Sequence, residues 1–367
     1  MKVECVKDKL ERAIGKATRV TSKNVTLPVL QCVLLEAADS QLSIRATNLD
    51  LGVELSVPVK VSTPGVVAVP GSVLASFLAN VSDGSVTLEL EGEQLVVRTA
   101  GTSTKINTYN HEDFPTIPRI EDGTSFQVPS ATFAKGLNAV SYSAATSSMK
   151  PELSSVYIAP ADDQRSLVFT ATDSFRLAEK RVAVTGLPAF EYVLIPVKNT
   201  NEITRMLEEY DGDIKVLIGD GQIAFVGDGL YVTSRTVDGV FPDYKQIIPS
   251  EFAAEATVLK NDLVTALKVA TIFTDKFNLV AVAIDPGKKE FTIQTKNSDV
   301  GENTYTLDGA LSGEAVAINF NHKYIRDSFQ SIAADSVVLK LSGTGKPMVM
   351  SGVSDTSFLY LVMPMNR

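Results

Sequence analysis

The sequence predicts an α+β chain of three similar domains, each with two helices packed on antiparallel sheet. Three observations carry that prediction. One order of strand, helix and turn signals recurs at a near-constant interval through the 367 residues. Apolar residues change from alternating to helical spacing at matching places in each third. Glycine, proline and aspartate break the alternating runs at short intervals, as hairpins require. The repeat takes precedence over local readings, because it decides the architecture of the whole chain.

The clearest landmark is Leu42-Ser43-Ile44-Arg45-Ala46-Thr47-Asn48, which returns as Leu167-Val168-Phe169-Thr170-Ala171-Thr172-Asp173 and as Phe291-Thr292-Ile293-Gln294-Thr295-Lys296-Asn297, 125 and 124 residues on. Each module opens with an apolar strand and a capped amphipathic helix, near Val3, Val128 and Val258. In the first, Leu10, Ile14, Ala17 and Val20 form the apolar stripe, with Lys7, Lys9, Arg12, Lys16 and Arg19 off it. In the second, Ser130 is the expected cap of a helix with Phe133, Leu137 and Val140 on one side. In the third, Asn261 is the expected cap of a run containing Leu263, Leu267 and Val269.

A second helix follows the strand-like runs 66–69, 193–195 and 316–318, with expected caps Ser72, Asn199 or Thr200, and Asn319 or Asn321. Alternating strands come next: Ser85-Val86-Thr87-Leu88, Asp213-Ile214-Lys215-Val216 and Ser336-Val337-Val338-Leu339. An apolar residue before proline closes each module: Phe114-Pro115, Phe241-Pro242 and Met363-Pro364. Polar segments at 121–123 and 249–251 then divide the chain into domains 1–122, 123–252 and 253–367. Each is near the common domain size of about 100–150 residues.

Composition fits a soluble globular protein, with 44% hydrophobic and 21% charged residues. No apolar stretch approaches the ~20 residues of a membrane span, and residues 1–5 enter an amphipathic pattern without a signal-peptide core. A cytoplasmic protein is expected. Cys5 and Cys32 make neither a metal spacing nor a disulfide framework and read as buried thiols.

The inventory for catalysis is thin. His111 and His322 are the two histidines, and neither has a metal-ligand companion at helical spacing. No nucleophile elbow occurs. Gly343-Thr344-Gly345-Lys346 fails as a phosphate loop, because Pro347 replaces the required hydroxyl residue, and it reads as a hairpin turn. Asp173, Asp211, Asp213, Asp238 and Asp243 sit in contexts that favour turns and caps over a cation site. No catalytic residue, metal or cofactor is expected.

The net charge of −9 argues against adhesion to nucleic acid through the whole surface. Basic residues nevertheless fall at non-core helix positions: Lys9, Arg12, Lys16 and Arg19, then Lys135, Lys198 and Arg205, then Lys268, Lys323 and Arg326. Lys23 lies just past the first helix. Solvated helix faces are one reading of these residues. The other is a weakly basic lining inside an acidic shell, which would attract phosphates without reading bases.

Four stretches resemble one family, the bacterial sliding clamp or beta subunit of DNA polymerase III. They are Thr26-Leu27-Pro28-Val29-Leu30, Thr170-Ala171-Thr172-Asp173-Ser174-Phe175-Arg176-Leu177-Ala178, Val237-Asp238-Gly239-Val240-Phe241-Pro242-Asp243-Tyr244 and Tyr360-Leu361-Val362-Met363-Pro364-Met365. The likeness extends to the length and the threefold repetition. It implies the DNA clamp fold: a head-to-tail homodimer whose six domains close into a ring around double-stranded DNA, bound without regard to sequence. It also implies partners that dock through a short clamp-binding motif, namely the replicative polymerase alpha subunit, the clamp loader and repair proteins.

The resemblance places the peptide pocket at Leu153, Thr172, Ser174, Phe175, Arg176, Leu177, Pro242, Ile247, Tyr324, Pro347, Met363, Pro364 and Met365. It places the dimer contact at Ile106, Ile272 and Phe273. It places DNA at Lys23 and Asn24; the reading of a basic lining adds the helix cations Lys9, Arg12, Lys16, Lys135, Lys198, Arg205, Lys268 and Lys323. Read without the family, Met363-Pro364-Met365 is a terminal strand on its own core, and each of the three dimer positions fits ordinary core equally well. A peptide-recruiting repeat scaffold that does not encircle DNA is the competing function. A hydrolase using the scattered aspartates is a third.

Overall fold

The computed structural model describes residues 1–22 and 27–365. The chain forms two compact units, one of residues 1–131 and 201–236, the other of residues 132–200 and 237–367. The helices are α1 (Lys7–Val20), α2 (Gly71–Ala79), α3 (Ser130–Val140), α4 (Val197–Glu208), α5 (Lys260–Ile272) and α6 (His322–Asp327). No helix among the described residues is long and apolar enough to cross a membrane.

In the first unit, an antiparallel sheet of five strands runs in the order Lys60–Thr63, Lys2–Val6, Ser85–Glu91, Gln94–Arg98, Ser103–Asn107. A second sheet of eight runs Thr124–Pro129, Asp213–Gly219, Gln222–Gly227, Leu230–Arg235, Leu51–Pro58, Gln41–Thr47, Cys32–Ala38, Gly65–Pro70. Helix α1 packs on the second sheet and against α2. Its Leu10, Ile14, Ala17 and Val20 are buried, as the apolar spacing predicts, and so are Ala13 and, against expectation, Lys7. Cys5 and Cys32 are buried free thiols. Burial, with the Glu4 charge second, pushes Cys5 up to about 12, and burial alone pushes Cys32 to about 11.

In the second unit, a sheet of nine strands runs Val193–Pro196, Ser155–Pro160, Ser166–Thr172, Arg176–Ala183, Phe358–Val362, Met348–Gly352, Ser336–Leu341, Ala254–Leu259, Gly309–Gly313. A sheet of four runs Gly301–Leu307, Glu290–Asn297, Leu279–Asp285, Val316–Asn321. Gly136 of α3 has a packing reason: a Cβ there would lie 2.5 Å from the Phe169 ring. The same ring stacks edge-on against Phe133, with centroids 5.1 Å apart. Gly343-Thr344-Gly345-Lys346 is the expected hairpin turn, between Ser336–Leu341 and Met348–Gly352.

The repeat is legible in the pairing. Leu51–Pro58, from the first sequence module, pairs with Leu230–Arg235, from the second. Arg176–Ala183, from the second, pairs with Phe358–Val362, from the third. Both large sheets are thus continuous across module boundaries, and the second module contributes strands to both compact units.

The expected caps need correction. Ser72, Ser130, Asn199, Thr200 and Asn261 all lie inside their helices, not at N-cap positions. The Ser130 hydroxyl donates to the Leu207 carbonyl at 2.6 Å, and Thr200 donates to the Pro196 carbonyl at 3.2 Å. Only Asn321, of the residues expected, caps its helix, accepting from the Lys323 N–H at 2.9 Å. The physical reason is that strands run straight into helices, so the extended residue before the helix is the last residue of a strand. The first helical N–H is then satisfied by a distant backbone carbonyl. Lys7, Ser130 and Lys260 donate to Gly84, Gly212 and Asp335 at 3.1, 3.0 and 2.8 Å. Those three acceptors stand just before the strands that mark the repeat, so one tertiary cap is used three times. Val197 and His322 donate likewise to Ser154 and Asn278, both at 2.9 Å.

Candidate functional site

The site in the second unit is built on one tight turn, 172–176, between strands Ser166–Thr172 and Arg176–Ala183. The Thr172 hydroxyl donates to the Arg176 carbonyl at 2.7 Å and accepts from the Ser174 N–H at 3.1 Å. Asp173 Oδ1 accepts from the N–H groups of Phe175 and Arg176 at 2.9 and 3.0 Å. Short polar side chains thus replace ladder bonds and fix the turn, with Ser174 at φ +76°. This geometry leaves Phe175 61% exposed while Leu177 is fully buried.

Arg176 is held from four sides. Its Nε donates to Asp173 Oδ2 at 3.0 Å and its Nη1 to Asp327 Oδ2 at 2.6 Å. Its guanidinium lies 4.7 Å from the Tyr324 ring centroid and 5.9 Å from that of Tyr142. The guanidinium is therefore a fixed wall of the site, with its charge already neutralised.

The carboxyl-terminal strand lies alongside. Arg176 and Leu177 pair with Val362 and Leu361, and the Met363 N–H donates to the Phe175 carbonyl at 2.8 Å. The Met365 N–H donates to the Asn319 carbonyl at 2.8 Å, which holds Met363, Pro364 and Met365 half-buried at the surface. Leu177, Leu194, Phe241, Tyr244, Val349 and Leu361 form one apolar cluster, with Met363 and Ile248 packed against it. Tyr157 packs against Phe241 with ring centroids 4.9 Å apart. Pro242 and Ile247, in the segment through Tyr244, are exposed, and Pro347 in the neighbouring hairpin turn is half-buried. Leu153 is buried ahead of strand Ser155–Pro160. The residues so joined form an apolar cluster with a methionine and aromatic rings at its margin, beside the exposed Phe175, a chemistry suited to varied short apolar side chains.

Several residues that shape this surface were not assigned to it from the sequence, although Phe241 and Tyr244 stood in stretches already noted. Tyr244 donates to Glu179 Oε2 at 2.6 Å, inside the protein, and Tyr157, Phe241 and Val349 complete the floor. Asp327 and Tyr142 complete the arginine clamp. Asp173 read as a turn former, which it is, and its position beside Arg176 was the available signal.

The expected cations divide between the two units. In the first, Lys9 and Arg12 are exposed on α1, and Lys16 is half-buried beside them. Lys16 pairs with Glu209 at 3.1 Å, Arg19 with Glu202 at 3.0 Å and Glu209 at 3.5 Å, and Arg205 with Glu202 at 3.0 Å. Lys9, Arg12 and Lys16 also line a cavity of about 310 Å³ with Met206 and Tyr210. In the second unit, Lys135, Lys198, Lys268 and Lys323 are all exposed, on α3, α4, α5 and α6. Lys23 and Asn24 lie outside the described residues.

The expected dimer positions sit by strands that end their sheets. Ile106 is buried in Ser103–Asn107, the last strand of the five-stranded sheet. Ile272 is 64% exposed at the end of α5, and Phe273 follows as its half-buried C-cap. Gly301–Leu307, which ends the four-stranded sheet, passes close to Phe273: a Cβ added at Gly301 would lie 3.8 Å from its ring.

Three family models match the chain in order: the amino-terminal, central and carboxyl-terminal domains of the DNA polymerase III beta subunit, at residues 1–118, 127–243 and 245–366. The chain belongs to this family. A beta sliding clamp from Synechocystis sp. is 28% identical, with 99% of each chain covered. The DNA polymerase III beta subunit of Thermotoga maritima superposes with a TM-score of 0.94 at 26% identity, covering 100% of this chain and 99% of that one. A sliding clamp from Bartonella birtlesii bound to griselimycin gives 0.94 at 26% identity, with both chains fully covered. The family explains why the landmarks at 42–48, 167–173 and 291–297 recur at near-constant offsets: the fold is a module used three times.

Proposed function

We propose that this chain is a DNA sliding clamp: two copies close into a ring around duplex DNA and tether the replicative polymerase. The observation that carries the reading is that sheets are already shared between successive modules. Leu51–Pro58 pairs with Leu230–Arg235, and Arg176–Ala183 with Phe358–Val362. Ser103–Asn107 and Gly301–Leu307 each keep an unpaired edge among the described residues. Such edges invite another chain, and a head-to-tail pairing of the two closes the circle. Ile106, Ile272 and Phe273 flank that junction in this reading. The domains divide at 1–122, 123–252 and 253–367.

The DNA-facing residues are Lys9, Arg12, Lys16, Lys23, Asn24, Lys135, Lys198, Arg205, Lys268 and Lys323, attracting phosphate without selecting sequence. The surface built from Leu153, Thr172, Ser174, Phe175, Arg176, Leu177, Pro242, Ile247, Tyr324, Pro347, Met363, Pro364 and Met365 takes the clamp-binding motifs of the polymerase alpha subunit, the clamp loader and repair proteins. The chain performs no chemical step and works in the cytoplasm, on the nucleoid. Mass in solution and DNA topology test the proposal together. A dimer that persists on nicked circles and leaves linear duplex supports encirclement. A monomer, or equal retention on both forms, leaves the open peptide scaffold instead.

A further inference from the structure

The peptide turn has an internal copy 125 residues earlier, in the first unit. Thr47 donates to the Leu51 carbonyl at 3.0 Å and accepts from the Leu49 N–H at 3.0 Å, as Thr172 does with Arg176 and Ser174. Asn48 Oδ1 accepts from Asp50 and Leu51 at 3.0 and 2.8 Å, as Asp173 does from Phe175 and Arg176. Leu49 has φ +76°, the value at Ser174. The Arg235 N–H donates to the Asp50 carbonyl at 2.8 Å, as the Met363 N–H does to that of Phe175. Pro115, after Phe114, stands where Pro242 stands after Phe241. Backbone and turn chemistry are therefore reproduced bond for bond.

The side chains are not. Asp50 replaces the exposed Phe175, and Arg235 replaces Met363. Around them lies a cavity of about 570 Å³, lined by Leu49, Leu51, Pro115, Pro118, Asp50, Asp220 and Arg235, among others. Asp50, Asp220 and Arg235 are its charged lining residues, so the lining is net acidic, while the leucines and prolines supply apolar walls. Asp220 and Arg235 form no ion pair with another described residue.

We propose that this cavity is a second peptide site, taking a short extended segment that presents a lysine or arginine beside an apolar side chain. The aliphatic stem lies along Leu49, Pro115 and Pro118, and the cationic head reaches Asp220 and Asp50. The idea rests on the reading of the 172–177 surface as a peptide site, and the experiment separates the two. The full-length protein, labelled at leucine, threonine and methionine methyls, is titrated with capped heptapeptides followed by NMR. One alternates leucine with arginine, one leucine with glutamine, one leucine with glutamate.

The arginine peptide is expected to shift Leu49, Leu51 and Thr116 methyls and to leave Leu177 and Met363 unmoved. Asp220→Asn, in an exposed turn that asparagine tolerates, should weaken it roughly three- to tenfold. Arg235→Gln should tighten it. The glutamine peptide should shift Leu177 and Met363 instead. Silence at Leu49 and Leu51 with response at Leu177 overturns this inference alone. Silence at both surfaces overturns the peptide reading of the 172–177 surface and this inference with it. Preference for the glutamate peptide, or indifference to Asp220→Asn, overturns the basic specificity.

Discussion

Asp173 and Phe175 occupy one turn but separate two quantities. Asp173 accepts three hydrogen bonds, two from backbone N–H groups and one from Arg176 Nε. Its replacement by alanine strands those donors and should cost about 1–3 kcal/mol of stability, along with peptide binding. Phe175 is 61% exposed, so Phe175→Ala should leave the melting temperature within a degree or two while weakening an apolar clamp-binding peptide. Calorimetry and peptide titration on both variants check this. Equal losses of stability would mean that Phe175 packs inside the protein. His322 offers a pH test. It is fully buried, and burial, with the Arg326 and Lys323 charges next, lowers its pKa below 6.5. The unfolded chain therefore takes up the proton first as pH falls. The stability contributed by neutral His322 is complete above about pH 6.5 and is lost below it. His322→Gln should flatten denaturation midpoints measured between pH 7 and pH 5. An unchanged slope would show that another group is responsible.

At the scale of elements, spacing and punctuation foretold most of the fold, and tertiary satisfaction decided the rest. The α1 stripe was visible because Leu10, Ile14, Ala17 and Val20 need no partner to announce a helix. The caps were misplaced because the carbonyls of Gly84, Gly212 and Asp335, which no side-chain pattern signals, perform the task. Pairing of Leu51–Pro58 with Leu230–Arg235 was equally hidden, since the partner lies far away in sequence and both strands alternate like any other. The 172–177 surface was located by likeness; its floor of Tyr157, Tyr244 and Val349 comes from three separate strands and turns and leaves no local mark. The Thr47-Asn48 and Thr172-Asp173 pairs were already conspicuous as repeat landmarks, and their hydrogen bonds give that likeness a physical meaning. The dimer contact yields its own prediction. Ile272 is 64% exposed at the end of α5, so Ile272→Arg should fold normally and sediment as a monomer under conditions where the wild type is dimeric. A dimer of undiminished affinity would remove the end of α5 from the interface.

For the whole molecule, the opposing facts are a net charge of −9 and a duplex that must be held without being gripped. If α1 lines the ring as proposed, its cations resolve them in part, because acids from α4 and just beyond it engage their heads. Glu202 holds Arg19 and Arg205, and Glu209 holds Lys16 and Arg19. These pairs are partly exposed and contribute about 0–1 kcal/mol each, so their value is not stability. In the proposed ring they would temper the attraction for phosphate, which favours sliding over sticking. The double variant Glu202→Gln, Glu209→Gln moves the net charge from −9 to −7 and frees Lys16, Arg19 and Arg205. Folding should be unaffected. Affinity for short linear duplex should rise at low salt, and if two further phosphates are engaged, the slope of log K against log salt should steepen by roughly 2. Diffusion along the duplex should slow in single-molecule tracking. An unaltered salt slope would place the α1 cations away from the DNA and would return them to the status of a solvated helix face.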